Sequence, residues 1–182
     1  IALSLVGSEM CIRDRKGAQA IADAANKRQA NISVIGIPKT IDNDLGFVEK
    51  TFGFETSVQV ASEIITSAHH EAEGAENGIG IVKLMGRDSG FIAATASLAN
   101  SVVDFCLIPE TPVQIDGPKG ICAALQQRLQ QNNHAVVVVA EGAGQHLFKN
   151  SENRIDASGN VLKDDIGDCL LYTSDAADEE RG

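Results

Sequence analysis

Four short stretches of this chain carry side chains suited to moving a phosphoryl group. They are Pro38-Lys39-Thr40-Ile41-Asp42-Asn43-Asp44, Met85-Gly86-Arg87-Asp88-Ser89-Gly90, Pro109-Glu110-Thr111-Pro112 and Glu141-Gly142-Ala143-Gly144-Gln145. A carboxylate such as Asp42 beside cations suits taking a proton from a hydroxyl while an anionic group is held. Lys39 and Arg87 supply the positive charge. Glycine lets backbone amides approach a phosphate, and a following helix N-terminus favours its negative charge. Taken singly, each stretch has a plainer reading: Asp42 and Asp44 as turn or capping residues, Arg87 as half of a surface ion pair.

Several other patterns carry less. Glu141-Gly142-Ala143-Gly144 begins like a dinucleotide fingerprint, but Leu147 stands at the third glycine position. His69-His70-Glu71 invites a metal reading. Adjacent helical residues point about 100° apart, so these read instead as a solvated helix face. Asp156-Ala157-Ser158-Gly159-Asn160 has its glycine two positions early for a calcium loop and lacks the closing glutamate, so it reads as a hairpin turn.

The elements that must position these residues alternate. Lys16–Ala30 sets Ala18, Ile21, Ala22 and Ala25 on one helical stripe. Ile32–Ile37 reads as a buried strand ended by Pro38. A long helix covers Glu55–Glu73, followed by strand Ile79–Leu84 and helix Ser89–Asn100, for which Ser89 can act as the cap. Strand Val103–Ile108, helix Gly117–Asn132 and strand Ala135–Ala140 complete the series. This alternation predicts an α/β fold with a doubly wound, mostly parallel sheet. In such sheets ligands gather beyond the carboxyl ends of the strands, where the four stretches fall.

The chain has 182 residues, 43% hydrophobic and 22% charged, enough apolar material to close a core. Its net charge of −10 argues against nucleic acid or an anionic membrane as partner. With aromatics at 4%, stacking platforms for single strands have little to stand on. No run approaches the roughly 18 apolar residues that span a bilayer. Cys11, Cys106, Cys122 and Cys169 form no CxxC pair and read as reduced thiols in a cytoplasmic protein.

The ends differ from the middle. SLVGSEMCIRDR (4–15) and CLLYTSDAADEE (169–180) look like translated sequencing-library adaptor, so residues 1–15 and 169–182 are expected to stand outside the fold.

PKTIDNDL, KLMGRDSGFIA and VAEGAGQ, in this order and spacing, resemble the 6-phosphofructokinase family. The resemblance extends through GFETSVQVASE and LIPETPVQIDGP, over nearly all of 16–168. It looks closest to the branch with Lys before TIDND, which holds pyrophosphate-dependent and plant-like ATP-dependent enzymes. The resemblance implies phosphoryl transfer from ATP or pyrophosphate to the C1 hydroxyl of fructose 6-phosphate. It implies Asp42 as general base and Lys39 as the cation stabilising the transferring phosphoryl. Thr40, Ile41 and Asp44 then line the same pocket, Met85, Gly86 and Arg87 contact the sugar phosphate, and Glu141 accepts hydrogen bonds from sugar hydroxyls. Residues 16–53 correspond to the end of a phosphoryl-donor lobe and 54–168 to part of a fructose 6-phosphate lobe, an incomplete fold. The family's Mg²⁺-binding Asp and GGDG-type loop correspond to the place of Cys11–Arg15 and are missing, so no metal ligand is assigned within this chain. The resemblance further implies a homo-oligomeric parent and an inactive segment. Three alternatives stand beside it: a lipid or NAD kinase with a similar acidic turn, which MGRDSG disfavours, a non-catalytic sugar-phosphate-binding or regulatory subunit, and a purely structural α/β fragment, which three motifs at strand ends disfavour.

Overall fold

The computed structural model describes residues 11–148, 155 and 161–179, with side chains over 16–148, 155 and 161–172. A parallel three-stranded sheet lies at its centre in the order β1-β3-β2: β1 (Gly78–Leu84), β2 (Phe105–Leu107) and β3 (His134–Ala140). Gly78 stands opposite His134 and Leu84 opposite Ala140, while Phe105–Leu107 run beside Val137–Val139. All three carboxyl ends therefore open onto one side.

β3 is the axis because its sequence suits burial on both faces. Ala135 through Ala140 are all 0–1% exposed. Alternate residues divide between two cores. Val136, Val138 and Ala140 pack with Phe54, Ala61 and Ile65 of α2 (Phe54–Gly74) and Ile92, Ala93 and Ala96 of α3 (Phe91–Ala99). Ala135, Val137 and Val139 face Ile121 and Leu125 of α4 (Ile121–Asn132) and Ile166 and Leu170 of α5 (Ile166–Glu179). Each fully buried valine contributes about 1.5–3 kcal/mol from desolvation. Helices on both faces of a parallel sheet give the doubly wound α/β architecture that the alternation predicted.

Local signals set the element ends. Gly53, at φ 92, turns the chain into α2, whose first turn carries Glu55 against the helix dipole. Asn133, at φ 58, closes α4 by donating its N–H to the Leu129 carbonyl at 2.8 Å. α4 starts four residues later than its pattern suggested, because Gly117–Gly120 close a turn of their own, Gly120 N–H on Gly117 O at 2.9 Å. α1 (Cys11–Lys27) begins ahead of the expected Lys16, and of its stripe only Ala25 is buried. α5 takes in residues 169–179, and Leu170 is 4% exposed in the second core.

The expected strand at Ile32–Ile37 does not form. That segment has no regular structure, with Ile35 84% and Ile37 72% exposed. A strand needs a neighbour to complete its ladder, and the described sheet pairs only β1, β3 and β2 with one another. What remains is a single parallel bridge, Lys39 to Phe52. The hairpin expected at Asp156–Asn160 lies outside the described residues, although Ile155 and Val161 on its flanks form an antiparallel bridge.

Candidate active site

Three loops leave the carboxyl ends of the strands, and a fourth segment, Thr40–Asp44, lies across them. The loop after β1 is the most constrained. Gly86 (φ 144) and Arg87 (φ 52) both adopt left-handed backbone, and Ser89 N–H closes the turn on Gly86 O at 2.8 Å. Glu141, the first residue after β3, compensates for that strain. Its Oε1 accepts the amides of Arg87 at 2.7 Å and Gly86 at 3.3 Å, while its own N–H donates to Leu84 O at 2.9 Å. Gly142 must lack a side chain here, since a Cβ would overlap the Arg87 carbonyl oxygen.

The TIDND turn joins this loop through Ser89. The Ser89 hydroxyl sits 3.0 Å from the Asp42 carbonyl and 3.1 Å from that of Gly86. It is therefore not the cap of α3, a role its place in the sequence had suggested. The N-cap is Gly90, whose N–H donates to Glu110 Oε1 at 2.8 Å. Within the turn, Asp42 N–H donates to the Thr40 hydroxyl at 3.2 Å, and Asn43 (φ 55) accepts the amide and hydroxyl of Thr51 at 2.9 and 3.2 Å. Ile41 packs its side chain on the first core and against Gly53, which anchors the turn.

Asp42, Asp44, Arg87 and Glu141 share one electrostatic environment. Partial burial pushes the Asp42 carboxyl above its ordinary range, and the Asp44 and Glu141 carboxylates add to the rise. Arg87 and the Thr40 hydroxyl pull the other way. Beside Arg87 and Glu141 lies a cavity of about 270 Å³, also lined by Lys83 and Val161–Asp165. Met85, next to Gly86, is 63% exposed. Lys39 is in the bridge to Phe52, its side chain running toward Gly53. Sequence reasoning missed Ser89 as a link, Glu110 as the acceptor of the Gly90 amide, and the roles of Lys83, Lys163 and Asp165. Lys83 and Ser89 lie within KLMGRDSGFIA and Glu110 within LIPETP, but those strings do not name their partners; Lys163 and Asp165 sit in no motif.

His69 is not on a solvated face. Its ring lies 5.1 Å from that of His134 on β3 and 5.6 Å from the exposed His70. Among the described residues, no group of three or more His, Cys, Asp or Glu side chains is placed to hold a metal ion. Cys106, Cys122 and Cys169 are not joined in disulfides, and burial pushes the first two thiols up. No described helix is long and apolar enough to cross a membrane.

In this α/β fold the loops after β1 and β3 and the Thr40–Asp44 turn bring together a raised carboxyl, an arginine and a second carboxylate. The family model for phosphofructokinase matches residues 15–175, and the chain belongs to that family. The ATP-dependent 6-phosphofructokinase of Borreliella burgdorferi is 49% identical over 171 residues, covering 91% of this chain and 38% of the relative. ATP-dependent 6-phosphofructokinase 1 of Arabidopsis thaliana is 51% identical over 157 residues, 84% of this chain and 33% of the relative. The chain thus spans a third to two fifths of the length of these relatives. Among solved structures, the pyrophosphate-dependent phosphofructokinase of Marinobacter aquaeolei matches with TM-score 0.55 and 30% identity, over 69% of this chain and 33% of that one. Pichia pastoris phosphofructokinase shares the fold, with TM-score 0.64 at 18% identity over 90% of this chain and 17% of that one.

Proposed function

We propose that this chain carries the acceptor side of phosphoryl transfer to the C1 hydroxyl of fructose 6-phosphate, the step that yields fructose 1,6-bisphosphate in glycolysis. The observation that carries the reading is the convergence of Asp42, Arg87 and Glu141 at the ends of β1 and β3, tied together by Ser89 and by the Glu141–amide contacts. Asp42 accepts the C1 hydroxyl proton, and its raised carboxyl moves it toward the pH at which a general base works best. Arg87 holds the sugar's anionic group. Glu141 keeps Oε1 on the loop amides and offers Oε2 to a sugar hydroxyl. Gly86 and Met85 shape the rim, Thr40, Ile41 and Asp44 hold the turn, and Lys39 stabilises charge on the transferring phosphoryl.

In this reading residues 16–53 close a donor lobe and 54–168 form part of a sugar-phosphate lobe within a longer, homo-oligomeric cytoplasmic enzyme. Mg²⁺ and the donor would be held by the part of such an enzyme that this chain does not span. The donor is ATP, supported by relatives near 50% identity that are named ATP-dependent, against 30% for the pyrophosphate-dependent structure. The chain alone is expected to turn over nothing.

A coupled assay for fructose 1,6-bisphosphate tests this, run with Mg²⁺ and either ATP or pyrophosphate. A full-length enzyme carrying this segment should be active, and Asp42→Asn should cost ~10²–10⁴ in rate. A wild-type rate in that variant would remove Asp42 from the chemistry. Product formed by the chain itself would overturn the inactive-segment reading.

A further inference from the structure

The wall of the cavity facing Arg87 and Glu141 is the segment Val161–Asp165, which lies far from every motif in the sequence. Two side chains fasten it. Gln145 uses both ends of its amide: Nε2 donates to the carbonyls of Asp164 at 3.0 Å and Glu141 at 3.2 Å, and Oε1 accepts the Asp164 N–H at 3.1 Å. Lys163 pairs with Asp88, the residue after Arg87. At the foot of the segment Asp165 pairs with Lys83 of β1 and accepts the Gly167 amide at 2.9 Å, opening α5. One amide therefore ties the segment to the loop after β3, and one ion pair ties it to the loop after β1.

An ion pair this exposed adds little to stability: the Lys163 and Asp88 side chains are 26% and 77% exposed. What it does fix is a place. Asp88 belongs to the turn that Glu141 holds through the Gly86 and Arg87 amides, so pulling on Asp88 sets how that turn sits and where the Arg87 guanidinium is presented. Gln145 sets the other margin, since its two-ended contact defines both the height and the direction of the Asp164 backbone. A carboxylate at 145 would keep the acceptor and lose both donors; a methionine would keep only the shape.

We propose that Gln145 and Lys163 are positioning residues of the Arg87–Glu141 site, holding Val161–Asp165 as its outer wall and seating Arg87 for the anionic group of a sugar phosphate. The ligand class rests on the function proposed above; the positioning does not.

The test uses the 182-residue chain. Calorimetric titration with fructose 6-phosphate compares wild type with Gln145→Met, Lys163→Gln, Lys163→Arg and the charge-reversed pair D88K/K163D. Backbone amide shifts of Gly86 and Arg87 are recorded in each without ligand. Gln145→Met and Lys163→Gln should weaken binding about tenfold, below the ~100-fold that a 1 Å misplacement can cost. Both should move the Gly86 and Arg87 amides with little change in thermal midpoint. Lys163→Arg and the reversed pair should restore most of the binding and the wild-type shifts. Unmoved amides in Lys163→Gln and Gln145→Met would overturn the proposal, as would binding losses that merely follow stability. If the wild-type chain takes no fructose 6-phosphate while the amides still move as stated, the ligand assignment fails and the positioning stands.

Discussion

The hydroxyl of Ser89 rests 3.0 Å from the carbonyl oxygen of Asp42, joining two turns that are 47 residues apart in the chain. Through this contact the TIDND turn takes its position from the loop after β1 rather than from a strand of its own, because Ile32–Ile37 is not paired. Ser89 is 6% exposed and divides its hydroxyl between two carbonyls. Ser89→Ala should cost about 1 kcal/mol in urea unfolding, typical of one net hydrogen bond. Its larger effect should be faster amide exchange across Thr40–Asp44, which hydrogen-exchange mass spectrometry reads directly.

Asp42 carries a pH signature. Burial holds its carboxyl above the ordinary aspartate range, so the folded chain holds this proton to higher pH than the unfolded chain does. Stability from this group is present at low pH and is lost as pH rises through the raised folded value. Asp42→Asn should therefore match wild type in acid and be the more stable of the two at neutral pH. Paired urea titrations on the two proteins at acid and neutral pH measure the gap. A gap that opens on the acid side instead would contradict the assignment.

Glu141 is expected to matter through both of its oxygens. Glu141→Ala removes a charged acceptor from two loop amides, each such bond being worth about 1.5–3 kcal/mol. The Gly86 and Arg87 amides should lose protection together, and fructose 6-phosphate binding should fall with them. Glu141→Gln keeps one acceptor oxygen and should fall between the two.

Gly142→Ala tests the close approach of two loops. The added methyl meets the Arg87 carbonyl oxygen, a backbone atom that cannot rotate away. A loss of about 1–3 kcal/mol is expected from the overpacking, with amide shifts confined to residues 86–90 and 141–145.

Ile65 and Ile64 stand side by side on α2 and should behave oppositely. Ile65 is 0% exposed within the first core, and truncation to Ala should cost about 2–5 kcal/mol. Ile64 is 49% exposed, and its truncation should stay within about 0.5 kcal/mol. Thermal melts of the two variants make the comparison.

Residues whose surroundings are dictated by their neighbours in sequence were legible from sequence. The AVVVVA run announces a strand buried on both faces, and the spacing of Ala61 and Ile65 announces the inner side of α2. The motifs were expected at strand ends, and Asp42, Arg87 and Glu141 do come near one another, although the strand expected before the TIDND turn does not form. Ile32–Ile37 misled for a physical reason: β-propensity reports fitness for a ladder, not the presence of a partner. Ser89 had two uses open to it, capping α3 or bridging to Asp42, and only the approach of the two turns decides between them. Lys163 carried no signal, and Gln145, although it closes the VAEGAGQ string, gave no hint of Asp164, since their partners lie 75 and 19 residues away.

The strand order β1-β3-β2 also sets a timetable for synthesis. β1 and β2 have no pairing with each other; each has β3 as its neighbour. As the chain leaves a ribosome, some 60 residues of finished strand and helix from Gly78 onward must wait, edges unpaired, until Ala140 emerges. Glu141 is the next residue out. The same peptide bond that completes the sheet therefore delivers the carboxylate that accepts the Gly86 and Arg87 amides, while the wall Val161–Asp165 and the α5 side of the second core are added later.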